Sequence, residues 1–308
     1  MANVLSKGSL FPAELTNEMF NMVKGKSSLA KLSGQSPIAF NGNELFTFNF
    51  DKEIDIVAEN GAKSNGGASV QPITIVPIKV EYGTRVSDEF KYGSEEVQLQ
   101  YLQAFAEGFA RKVARGIDIM AFHGVNPRTM TASVLIGNNC FDKAISQTVT
   151  RTADADADVE SAIALIQGNE EDVDGMAMSP AFRSALAALT LGADNKAKMF
   201  PELGWGNNPG SINGLTVDSN STVSVSIGTP NTNKDEAIVG NFADYFRWGF
   251  AKEIPIEVIE YGNPDNDADA GDLKGHNQVY IRGEAYIGWG ILNPNAFSRI
   301  LSEAEISG

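Results

Sequence analysis

Between residues 45 and 57 apolar and polar side chains alternate: Phe46, Phe48, Phe50, Ile54 and Ile56 fall in one phase, and Thr47, Asn49, Asp51, Glu53 and Asp55 in the other. Period two predicts a half-buried strand. The stretch AENGAKSNGGAS over 58–69 follows, rich in turn formers, and a second β-rich run, VQPITIVPIKVEY, returns over 70–82. Together they predict a hairpin about 35 Å long at about 3.3 Å per residue. Pro72 and Pro77 lack a ladder donor, so the second strand is expected at an edge or bulged. A two-stranded ribbon is marginal on its own in water, so its phenylalanine face needs a cover from elsewhere.

The period then changes. Val97, Tyr101, Leu102, Phe105, Phe109, Val113, Ile117 and Met120 recur every three or four residues, which predicts one helix over 94–122. Ser94 is placed to cap it, and Glu95 and Glu96 suit the positive end of its dipole. Gly108 and Gly116 weaken the helix intrinsically and suggest close packing against another backbone. Residues 129–248 read as a compact α/β unit. It has a helix after Asp158 as N-cap, a buried strand at 175–179, a helix over 180–191 opened by Pro180, and short strands at 215–217 and 237–239. Residues 253–261 and 278–292 predict two further strands. Residues 1–36 hold one short periodic piece, Leu15, Met19, Met22 and Val23, with no partner nearby. They are expected to lie as an arm on another subunit or another part of the fold.

Composition narrows the function more than any motif does. The 308 residues carry 39 acidic and 24 basic side chains, a net charge of −15, without a basic stripe, so sequence-specific binding of nucleic acid is not expected. No run of eighteen apolar residues marks a membrane span, and the first residues lack the apolar core of a signal peptide, so synthesis and assembly in the cytoplasm are expected. The single cysteine, Cys140, excludes an intrachain disulfide and is read as a small buried side chain. His123 and His276 are isolated in the sequence and read as structural or exposed.

The acidic run 265–272 has the look of a calcium loop. Counted from Asp265, however, its sixth position is Ala270 and its twelfth His276, where an EF-hand needs Gly and Glu. The run 154–158 lacks a closing Glu, so both are expected to be solvated acidic segments, with no metal and no cofactor. GWGNNPG at 204–210 lacks the GK[ST] ending of a phosphate loop and reads as a tight turn. Neither a GxSxG elbow nor an HExxH pair occurs, and the neighbouring Glu95 and Glu96 point apart on a helix. The chain is therefore expected not to be an enzyme.

Seven segments, in order, carry a resemblance: AENGAKSNGG at 58–67, RVSDEF at 85–90, MSPAFRSAL at 178–186, SINGLTV at 211–217, GNFADY at 240–245, IPIEV at 254–258 and IRGEAYIGWGILNPNAF at 281–297. Over residues 36–300 the chain resembles the major capsid proteins of tailed bacteriophages with the Hong Kong 97-type fold. The resemblance implies an α+β fold divided into an N-terminal arm (1–36), an extended β-hairpin loop (37–84), a peripheral domain around the spine helix (85–128 and 249–283), an axial domain (129–248 and 284–301) and a C-terminal tail (302–308). It implies a structural virion protein whose copies form hexamers and pentamers of an icosahedral head. Double-stranded DNA would be enclosed there without being read.

Expected partners are other copies of the chain, a portal protein and, in some systems, a decoration protein. The arm begins almost at Met1, where the type member carries a scaffolding segment, so a separate scaffolding protein is expected too. The candidate intersubunit contacts are Phe46, Phe48, Phe50, Ile54, Ile56, Glu59, Lys63, Arg282 and Glu284. Some members of the family join subunits through a lysine–asparagine isopeptide bond helped by a glutamate, and the matching positions here are Lys63, Asn277 and Glu284. An encapsulin shell with the same fold, or a tail or surface protein that assembles into tubes, is the alternative.

Overall fold

The computed structural model describes residues 26–192, 194–251 and 256–302. The periodic piece at 15–23 and the tail from residue 303 lie outside the described residues.

Among the described residues, three sheets and one long helix organise the chain. A ribbon pairs β1 (Asn43–Phe50) with β2 (Ala68–Ile75). The pairing ends at Phe50, earlier than the alternation to residue 57 suggests. Asp51 explains the stop: its backbone N–H bonds Gly67 O and its carboxylate takes the Gly67 N–H, closing the ladder into a loop. The second run is likewise two strands. β3 (Ile78–Ser87) leaves the ribbon at Pro77, which has no N–H to offer, and joins another sheet. The ribbon is thus about 26 Å long instead of about 35 Å. Pro72 is accommodated opposite Phe46 because β2 pairs on one side only.

The long helix is second in the chain: α1 is the short Ser28–Leu32 and α2 is Glu95–His123. The spacing of the apolar positions and the Ser94 cap predicted α2 closely; Ser94 Oγ accepts from Val97 N. Glycine packing did not follow. Open space stands over Gly108, and the nearest groups over Gly116 are the Pro127 ring and the Met120 side chain. Glycine does admit α2 elsewhere: on the central strand β11 (Gln278–Ile291), Gly283 lets the Phe109 ring lie against the strand backbone.

Strand β11 pairs with β3 along one edge. Along the other it pairs first with β10 (Ile256–Ile259) and then with β9 (Phe246–Phe250). Of the strand expected over 253–261, residues 253–255 lie outside the described residues.

The six-stranded sheet runs β4 (Thr148–Thr150), β12 (Phe297–Leu301), β8 (Asp235–Gly240), β5 (Gly175–Met178), β7 (Leu215–Ser219) and β6 (Ser211–Ile212). Its inner strands are buried on both faces. Ala237 and Val239 face a core with α4 (Ala155–Gln167) and α5 (Pro180–Ala188), while Ile238 and Phe297 face the core around α2 and β11. That is why their sequence is continuously apolar and not alternating. α3 (Phe141–Ala144) and α6 (Phe242–Tyr245) complete the join between the two cores. Asp154, not Asp158, caps α4; Asp158 is buried one turn in and accepts from Thr152 N and Oγ1. α5 ends at Ala188, short of residue 191.

Of the two places expected for the leading 36 residues, another subunit or another part of the fold, residues 27–36 take the second. Leu29 and Ala30 are fully buried, and Ser36 N bonds Trp248 O at 2.8 Å. Two buried aspartates grip α1. Asp118 of α2 accepts from Ser27 Oγ (2.5 Å), Ser28 N (2.9 Å), Leu29 N (3.2 Å) and Thr222 Oγ1 (2.9 Å). Asp218 accepts from Ser28 Oγ and Lys31 Nζ, both at 2.5 Å. No hydrophobic period announces this segment, because polar side chains on other elements hold it.

Burial pushes the Asp118 carboxyl up to about 6, against the pull of its hydrogen bonds. A carboxyl whose pKa is raised on folding favours the folded chain below the ordinary value, and that advantage fades as pH climbs through about 6. Urea midpoints of the native protein should therefore fall between about pH 4 and 6, by a contribution on the order of 2–3 kcal/mol. Asp118→Asn should lack that segment of the curve; an unchanged pH profile would contradict the assignment.

Candidate functional site

The ribbon ends in a loop, 51–67, whose backbone closes on itself through Asp51 and through Lys52 Nζ on Asn65 O. Ile54 and Ile56 are each 97% exposed on it. Charged Glu53, Asp55, Glu59 and Lys63 surround them, all exposed. The register sets Phe46, Phe48 and Phe50 opposite Pro72, Val70 and Ala68. At the root, Ile75 is buried over Gly288 and Gly290 of β11, so the ribbon is anchored while its tip projects.

Arg282 and Glu284 stand on β11 and pair with each other, Arg282 Nε lying 3.2 Å from Glu284 Oε1. Lys79 Nζ is 2.7 Å from the same oxygen, and Arg282 also reaches Glu257. The Glu284 hydrogen bond holds the Lys79 ammonium above its ordinary pKa. Asn277 sits seven residues before Glu284, in a left-handed turn at φ 52°. Along an extended strand that spacing is roughly 23 Å, so one copy does not bring the two together. Lys63, Asn277 and Glu284 are three separate places in the chain.

Exposed apolar side chains beyond the ribbon escaped the sequence reading. Trp205 is fully exposed at φ 56°, in the turn expected at 204–210, and Val134 and Leu135 project from the loop after α2. Between α2, β3 and residues 126–136 lies a groove of about 470 Å³ with an apolar floor at Phe109, Val113 and Ile119. Lys112, Arg115 and Arg128 rim it. The sequence signal was the basic run Arg111, Lys112 and Arg115 on one helix of an acidic chain.

The acidic loop is not merely solvated, as was expected, and its cation is internal. Arg85 on β3 donates to Asp265 (2.8 and 2.5 Å), Asn263 Oδ1 (2.7 Å) and the Ala270 and Gly271 carbonyls. The Arg85 bond holds the Asp265 carboxyl down to about 2, and Asp265 in turn raises the Arg85 guanidinium. A guanidinium thus fills the place that the sequence made look like a calcium loop.

His276 is exposed, its Nδ1 2.9 Å from Asp272 O. Cys140 is buried, and burial pushes its thiol up, away from the nucleophilic thiolate. His123 meets Asp142 and Asp235, with ligand-type atoms within 4.8 Å of one another, but Arg299 bonds both carboxylates. His123 and Arg299 between them already occupy the two carboxylates, so the grouping is a salt-bridge network. Burial, then the Asp142 charge, push the Asp235 carboxyl up.

The phage capsid family's sequence model matches residues 7–300. This chain belongs to the phage capsid family. Among solved structures, this capsid protein is similar to a chain from Mycobacterium phage Ogopogo, at 30% identity over 90% of this chain and 92% of that one, with a TM-score of 0.75. A chain from Gordonia phage Cozz matches at 23% identity, covering 91% and 87%, with a TM-score of 0.73. A chain described as the capsid of an empty GTA particle computed with C5 symmetry shares 13% identity over 91% and 90%, with a TM-score of 0.62. No curated protein sequence matches. The fold is the α+β Hong Kong 97-like capsid fold that the seven segments resembled, and the protein is a phage major capsid protein.

Arg85→Ala should release residues 262–272 of the capsid protein while leaving the two cores folded. Limited proteolysis should then cut within that loop at a rate well above the native chain's. Equal resistance in both proteins would mean that the loop holds its shape without the guanidinium.

Proposed function

We propose that this capsid protein assembles with copies of itself into hexamers and pentamers of an icosahedral head that encloses double-stranded DNA. The observation that carries the reading is the loop tip, where Ile54 and Ile56 stand in solvent on a ribbon anchored at its root. Two exposed isoleucines at the end of a projecting arm cost solvation free energy in a monomer, and burial against a neighbour recovers about 1.5–3 kcal/mol for each. In this reading the contact set is Phe46, Phe48, Phe50, Ile54, Ile56, Glu59, Lys63, Arg282 and Glu284. The α2 and β11 unit forms the peripheral domain, and the six-stranded sheet the axial domain. The C5 symmetry of the GTA particle, whose chain has a similar fold, is in keeping with pentamers.

The net charge of −15 suits a wall that holds packaged DNA without binding it. A portal protein, a separate scaffolding protein and, where present, a decoration protein are the partners, and assembly takes place in the host cytoplasm. Particles that copurify with DNA separate this reading from an encapsulin, which would carry enzyme cargo.

The double substitution Ile54→Glu and Ile56→Glu should leave the urea midpoint of the unassembled chain within about 0.5 kcal/mol of native, as for exposed sites. It should abolish closed particles in negative-stain micrographs; normal shells would remove the basis of the proposal.

Glu284 is engaged by Lys79 and Arg282, which makes it a poor proton acceptor for an isopeptide step between Lys63 and Asn277. Boiled particles should accordingly run as a single 33.0 kDa band on denaturing gels. A ladder lost on Lys63→Ala would instead assign the covalent bond.

A further inference from the structure

His123 ends α2 at the point where the two cores meet, and its side chain is fully buried. Both ring nitrogens face acceptors. Nε2 is 3.0 Å from the carbonyl of Thr222, a group with no proton to give. Nδ1 is 3.0 Å from Asp142 Oδ2 on α3 and 3.7 Å from Asp235 Oδ2 at the start of β8. Asn233 Nδ2, 3.4 Å from Nε2, is a donor already bonded to the Val223 and Val225 carbonyls. A neutral imidazole carries one N–H and one lone pair, so it satisfies one side of this pocket and turns a lone pair toward oxygen on the other. The geometry therefore calls for the doubly protonated ring. The C-terminal end of α2 favours the same cation.

We propose that His123 is a proton-held latch between the long helix and the six-stranded sheet: its imidazolium joins the Thr222 carbonyl to the Asp142–Asp235–Arg299 set, and loss of the proton opens that junction. The groups facing the ring come from every element packed there. Asp142 belongs to α3 and Asp235 to β8. Arg299 of β12 reaches Asp235 Oδ1 at 2.9 Å and Asp142 Oδ1 at 3.3 Å. Beyond them lies the Cys140 thiol, with Asp142, Lys143 and Arg299 around it. On the far side of Thr222, its hydroxyl is held by Asp118 of α2.

With the ring protonated, the imidazolium and the Arg299 guanidinium face Asp142 and Asp235, and burial and the Asp142 charge push the Asp235 carboxyl up. Without that proton, Asp142 and Asp235 keep only the Arg299 guanidinium, and a lone pair meets an oxygen at 3.0 Å. The ring then has to leave one of its partners, which loosens the 220–225 turn at the end of α2 while Asp118 still holds the Thr222 hydroxyl. Burial opposes the charged ring, but the Asp142 bond, the Asp142 and Asp235 charges and the Thr222 carbonyl together hold its pKa above the ordinary value. The sign follows: the latch is closed below about pH 6.5 and is lost as pH rises through the higher folded value.

Hydrogen exchange of the full-length chain, corrected for the intrinsic pH dependence of exchange, tests this. From pH 6 to 9, peptides covering 119–125, 141–145 and 220–225 should lose about tenfold of their protection for each unit by which the folded pKa exceeds the unfolded one. His123→Gln should be flat over the same range, at the level that the native chain reaches at pH 9. Should that variant fail to fold, the nitrogen shifts of histidine-labelled native protein give a second readout, with exposed His276 as the internal control. His123 should then carry both protons at pH 7. A flat native profile, a His123→Gln profile equal to native, or a singly protonated His123 at pH 6 would overturn the latch.

Discussion

Strand β11 is the constraint on which the other elements depend. Its fourteen residues hold β3 on one edge and β10 and β9 in succession on the other. One face receives α2 through the contact of Phe109 with Gly283. Gly288 and Gly290 receive Ile75 at the root of the ribbon. A side chain at any of these glycines would push away an element that the fold needs close, so one strand sets both where the helix lies and where the ribbon leaves the body.

From that anchor the rest of the architecture follows by burial. The two cores share β8 and β12, whose successive side chains serve one core and then the other. Polar groups are buried at this border only where they tie elements together. Asp118 and Asp218 hold α1, and His123, Asp142, Asp235 and Arg299 hold the end of α2 against the sheet. Unpaired, any of these charges would cost several kcal/mol; paired, they fix which surfaces meet. The border is thus held by charge and hydrogen bonding, while each core is held by packing.

The outer surface shows the complementary economy. A body with a well-covered interior leaves Ile54, Ile56, Trp205 and Val134 in solvent, on loops that the cores do not need. That division suits a shell protein, in which the body must be stable alone while its projections wait for neighbours. The acidic loop at 265–272 belongs to the body instead, because Arg85 gathers it onto β3.

Periodicity by itself determined the long helix, the ribbon, the buried strands of the α/β block and the long strand β11, because each buries one face or both and so must repeat at the period of its backbone. The family resemblance rested on the order of those segments. The chain alone did not reveal that Asp51 stops the ribbon at Phe50, that β3 crosses to another sheet at Pro77, or that Ser27–Ser36 is part of the body. Nor did it pair Arg85 with Asp265, 180 residues away, or His123 with Asp235. A hydrophobic period is a local property of neighbouring residues. The partners of a buried charge are set by which distant elements come to lie beside it, and only the folded chain decides that.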